Sequence, residues 1–187
     1  MDIEENITNN IFLRQQQMGY YFKEMIFTSL QFYSNYGQLI RNTQIKKMYG
    51  HHINNIDLMI KIGVHIFIIH CIYEKSYPDI NKIKSFFYDC TTIKNIYNNH
   101  HLIFHKIYLT KYHVSFNTLN FLNENNIINI HLHNNHIKNI CSDSDHLIQM
   151  NILLNKLYYY IADTTKIYTG LKSLDSDDVI MTNRSFF

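Results

Sequence analysis

Tryptophan is absent from this 187-residue chain, alanine occurs once (Ala162), proline once (Pro78) and arginine three times (Arg14, Arg41, Arg184). Each scarcity excludes something. The five glycines, Gly19, Gly37, Gly50, Gly63 and Gly170, are isolated, so no glycine-rich loop can cradle a phosphate and no G-x-S-x-G elbow can present a nucleophilic serine. Three cysteines, Cys71, Cys90 and Cys141, contain no C-x-x-C pair and no even count, which argues against a disulfide framework and for a reducing compartment. Only Glu4, Glu5, Glu24, Glu74 and Glu124 are glutamates, so an enzyme built on a carboxylate pair has little to draw on. A net charge of +2 is too small to mark nucleic acid or an anionic membrane as the evident partner.

Isoleucine, asparagine, tyrosine, lysine and phenylalanine fill the gaps. Residues with GC-rich codons are nearly missing, which points to a very AT-rich genome, viral, parasitic or organellar, and weakens arguments from propensity. The apolar fraction of 46% and the length fit one globular domain, 1–187, with residues 1–6 and 182–187 as mobile ends. The opening MDIEENITNN is acidic and polar, unlike a secretory or mitochondrial leader. The most apolar run, Ile56 to Tyr73, is only about 18 residues long and carries Asp57, Lys61, His65 and His70, so it is read as core and not as a membrane span. The expected location is intracellular and cytoplasmic.

Twelve histidines are the chemically conspicuous feature. Protonating all 12 would take the net charge from +2 to +14, which makes solubility and association candidates for pH control. In NNIINIHLHNNHIKNIC, Asn125 to Cys141, the residues Ile128, Ile130 and Leu132 alternate with Asn129, His131 and His133, the pattern of a half-buried strand with its histidines on the wetter face. Asn134-Asn135 then reads as a turn. Side chains at i and i+2 of a strand point the same way, so His131 and His133, joined by His136 from the turn, form the candidate metal site; neutral imidazole suits zinc, and manganese is the other candidate. Asp143 or Asp145 could add a carboxylate.

That run resembles the His-x-His-x-Asp-His signature of the metallo-β-lactamase-fold hydrolases, which implies metal-assisted hydrolysis. Asn135 stands where the signature has its aspartate, and no histidine follows His146. In SNYGQLIR, Ser34 to Arg41, four residues resemble the Asn-Trp-Gly-Arg core of the Bcl family of death regulators, with Tyr36 for the tryptophan and Gln38 for the arginine. His100, His101 and His105 are spaced for neither a strand nor a single helix face. Arg41, Lys46 and Lys47 form a small basic patch able to contact phosphate or nucleic acid, and equally a solvated helix end.

Helical spacing of Ile11, Met18, Phe22, Met25, Phe32 and Tyr36 predicts about 40 residues of N-terminal helix. A straight helix that long would span about 60 Å, far beyond a compact domain of this size, so a break at Gly19 or Gly37 is expected. Strands are expected near 64–73, 102–116 and 127–141, and helices near 78–97 and 144–162. The fold class is therefore α+β, a long broken N-terminal helix and further helices on a small sheet, with an all-helical bundle as the alternative. The functional expectation is a non-enzymatic interaction or structural protein working through surface contacts of its N-terminal helix. Its partner would be another protein or a second copy, and no cofactor would be required. The alternative is a small metal-dependent hydrolase or nuclease using His131, His133 and His136.

Overall fold

The computed structural model describes residues 2–73, 78–98, 101–110, 114–131 and 143–167, with side chains from Gln16 onward in the first helix and from Ile152 onward in the last. Along the chain these form α1 (Asp2–Leu30), a 3-10 turn (Gln31–Asn35), β1 (Gln38–Arg41), α2 (Asn42–Tyr49), β2 (Leu58–Ile62), β3 (His65–Ile72), α3 (Ile80–Tyr97), β4 (Ile103–Thr110), α4 (Phe116–Glu124), β5 (Ile127–His131) and α5 (Asp143–Thr165). The class is α+β: a mixed sheet in the order β1-β2-β3-β4-β5, antiparallel from β1 to β3 and parallel from β3 to β5. The all-helical alternative fails at 65–72, where β-branched residues buried on both faces form β3.

Helices cover both faces of the sheet. On one face Phe22, Ile26 and Leu30 of α1 and Leu153, Leu157 and Ile161 of α5 pack over Ile60, Phe67, Ile69, Ile107 and Leu109. On the other, Ile45 of α2, Ile83, Phe86 and Ile93 of α3 and Leu122 of α4 cover Met59, Ile66, Ile68 and Tyr108. Each fully buried Ile, Leu or Phe contributes roughly 1.5–3 kcal/mol, so these two layers supply most of the driving force for folding.

The structure corrects three boundaries. First, α1 runs straight through Gly19 and ends at Leu30, well before Gly37. Gly37 serves the sheet instead: a Cβ there would sit 1.9 Å from the Lys61 carbonyl oxygen, so only glycine lets β1 meet β2. Second, the single apolar run 56–73 holds two strands. A two-residue turn separates them, with Gly63 at φ +55°, a value glycine adopts without strain. Third, the alternation read from 102 to 116 as one strand ends at Thr110. Residues 111–113 lie outside the described residues, and the Ser115 hydroxyl accepts from the Thr118 N–H to start α4.

Because β3, β4 and β5 are parallel, their carboxyl ends, Ile72, Thr110 and His131, stand in register along one edge. That edge is where open α/β sheets place their ligands.

Candidate functional site

Two of the three candidate metal ligands, His133 and His136, lie outside the described residues, as do the side chains of Asp143 and Asp145. His131 closes β5 at the carboxyl edge. Its Nδ1 sits 3.3 Å from the Asn129 amide nitrogen, and its carbonyl accepts from Lys156 Nζ at 3.0 Å. Burial lowers the Lys156 ammonium below its ordinary pKa. Among the described residues no group of three or more His, Cys, Asp or Glu side chains is arranged to hold a metal ion.

The basic patch divides. Arg41 opens α2, while Lys46 and Lys47 occupy its last turn, roughly 8 Å away along the helix axis. The Arg41 guanidinium donates to Glu24 at 3.0 Å and lies 3.5 Å over the Phe27 ring. It is spent on fastening β1 to α1 by an ion pair and a cation–π contact. Lys47 faces solvent.

A different cluster assembles at the carboxyl edge. Asp57 precedes β2, and its N–H donates to the Ile69 carbonyl at 2.9 Å, which sets its side chain beside His70. Oδ1 meets Lys23 Nζ of α1 at 2.6 Å; Oδ2 lies 2.8 Å from His70 Nδ1 and accepts from the Cys71 N–H at 2.7 Å. The Asp57 side chain is 9% exposed, whereas Lys23 is 44% exposed and keeps its ammonium partly in water. His70 is stacked against Phe86 at 5.5 Å and tilted against Tyr108 at 5.6 Å.

Two influences compete at Asp57. Burial pushes its carboxyl upward, but the His70 contact, the Lys23 charge and the Cys71 N–H together hold it below the usual carboxylate range. The Cys71 thiol is pushed well up, first by burial and then by the Asp57 charge, which disfavours its thiolate. Within the cluster, a proton on His70 Nδ1 donated to the carboxylate leaves Nε2 as the acceptor nitrogen, the tautomer a general base uses.

The signal for this cluster stood in the sequence. A charged residue inside an apolar run must be paired or it costs several kcal/mol, roughly, and Asp57 was such a residue. Its partners were not legible, because Lys23 comes from a helix 34 positions earlier and His70 from the next strand.

Beyond the cluster, a shallow cleft of about 280 Å³ runs between α1 and α5, lined by Tyr21, Glu24, Met25, Thr28, Ser29 and Leu154. Among the described residues no helix is long and apolar enough to cross a membrane. Comparison of the chain with protein-family models, with characterised proteins and with solved structures finds no match.

Proposed function

We propose that this is an interaction protein that associates with a second copy of itself through the outer face of α1. The observation that carries the reading is a fixed helix with an open outer face. Lys23 and the Glu24–Arg41–Phe27 contacts fasten one flank of α1, while Tyr20 and Tyr21 remain 62% and 60% exposed beside the cleft shared with α5. Tyrosine is favoured at interfaces because it offers a large rigid ring and a hydroxyl at low entropic cost. The exposed ring of Tyr21 is itself part of the wall of this cleft, most of which α1 supplies, and could enter the cleft of a second copy. A two-fold axis across α1 would therefore present each to the other, as a self-complementary interface requires.

The test is mass in solution by light scattering over a concentration series. The wild type is expected to rise toward twice the 22.5 kDa chain mass, and Tyr21→Glu to stay at the chain mass. A wild type that stays monomeric at every concentration defeats the reading.

The Asp57–His70 pair favours a second reading, a hydrolase of esters or phosphodiesters with His70 as base and Lys23 as the cation nearest a developing negative charge. It places the chemistry at the carboxyl edge rather than on the His131, His133 and His136 set. Asp57 has both oxygens engaged within the fold and His70 is 9% exposed, which favours the first reading. Hydrolysis of a generic phosphodiester or ester by the wild type, lost in His70→Gln, would reverse that order.

A further inference from the structure

The amino edge of the parallel strands carries a second packed imidazole, this one half-buried. His105 on β4 has both ring nitrogens engaged: Nε2 lies 3.0 Å from His65 Nδ1 on β3, and Nδ1 lies 3.0 Å from the Tyr160 hydroxyl on α5. The ring is stacked on Phe67 at 4.6 Å and meets Tyr160 edge-on at 6.0 Å. His65 and Tyr160 are the titratable groups against His105, and among the described residues no carboxylate pairs with either imidazole.

Proton counting sets the behaviour of this chain of contacts. A neutral chain satisfies every link, for example with Tyr160 donating to His105 Nδ1 and His105 Nε2–H donating to His65 Nδ1. One extra proton can be carried. With both imidazoles protonated, N–H faces N–H at 3.0 Å between two cations, and relief requires the rings to part. Phe67 backs His105, so parting displaces Tyr160 and with it α5.

From this geometry we infer that the His65–His105–Tyr160 chain is an acid-sensitive latch, closing α5 onto the sheet near neutral pH and loosening it in mildly acidic surroundings. Other described ties of α5 do not run through an imidazole side chain; one is Lys156 Nζ, which donates to the His131 carbonyl. Leu153, Leu157 and Ile161 are apolar, and the Tyr33 hydroxyl donates to the Tyr158 carbonyl. Burial, reinforced by His65, lowers the His105 pKa to about 4. The folded state therefore binds fewer protons than the unfolded chain. The latch's contribution is complete above the ordinary imidazole value near 6.5 and is lost as pH falls from there toward about 4.

Hydrogen–deuterium exchange of the full chain at pH 7 and pH 5, corrected for the intrinsic rate at each pH, tests the latch. Protection of α5 relative to α3 should fall about tenfold at pH 5, the ideal linkage effect reduced for the partial exposure of the ring. In His105→Phe the ratio between the two helices should be the same at both pH values. An unchanged ratio in the wild type, or the same tenfold fall in His105→Phe, overturns the proposal. If His105→Phe does not fold, His65→Gln replaces one imidazole with a neutral amide and should make the fall smaller than in the wild type, the part due to burial remaining; a full tenfold fall there is equally fatal.

Discussion

At the carboxyl edge of the parallel strands a buried histidine faces a carboxylate; at the amino edge a half-buried one faces a second imidazole. His70 lies against Asp57, itself supported by Lys23 and the Cys71 N–H, so its partner is an anion. His105 lies between His65 and Tyr160, where a proton meets no anion. The same residue type thus serves two ends. One edge gains from charge and fastens α1, whereas the other excludes charge and fastens α5. Acid should disturb them in sequence, the amino edge first.

The largest effect expected from breaking this contrast is at the carboxyl edge. Asp57→Asn keeps the shape and an acceptor for the Cys71 N–H but leaves Lys23 and His70 without their anion. Urea denaturation at pH 7 should show a loss of about 3 kcal/mol, the low end for a broken buried pair because Lys23 can reach water. A loss below about 1 kcal/mol would mean that the cluster does not hold α1.

The pH profile of that same difference separates the edges. Asp57 is held below its ordinary range, so the folded state binds fewer protons than the unfolded one as the carboxyl titrates. Its stabilisation is present above the usual carboxylate pKa and is lost only as pH falls through the lowered value. The gap between wild type and Asp57→Asn should persist from pH 7 to 5 and shrink below about 4. A gap that already closes between pH 7 and 5 would place the titration at the wrong edge.

Smaller effects sharpen the picture. Lys23→Met preserves the apolar stem and removes a partly solvated charge, so its cost should stay within about 1 kcal/mol by the same denaturation assay. Smallest in energy is the behaviour of the thiols. Cys71 and Cys90 are buried with their pKa values raised chiefly by that burial, and both should resist a thiol reagent until the protein unfolds. Rapid labelling of either in the native state would contradict the packing of both sheet faces.

Much of the fold was legible where one signal dominated. The proline at Pro78 and the spacing of Ile83 and Ile93 marked α3, the β-branched run marked β3, and the alternation around Ile128 and Ile130 marked β5. What escaped notice lies between Gln38 and Ile62. β1 has only four residues, α2 only eight, and β2 is buried on both faces. Such short elements show no clear period, and β2 merged with β3 into one apolar run. The candidate site was harder still. Sequence spacing exposes ligands on a single strand, which is why His131 and His133 drew attention, but Lys23, Asp57 and His70 meet only through sheet register and helix docking.

A single engineered thiol tests whether the outer face of α1, a helix held on one flank, meets a second copy. With Cys141→Ser removing the cysteine that lies outside the described residues, Thr28→Cys would place a thiol in the α1–α5 cleft, while Ser85→Cys, at an exposed position of α3, would serve as the control. Under mild oxidation Thr28→Cys is expected to form a disulfide-linked dimer at concentrations where Ser85→Cys remains monomeric. Equal cross-linking of the two, or none for Thr28→Cys, would contradict it.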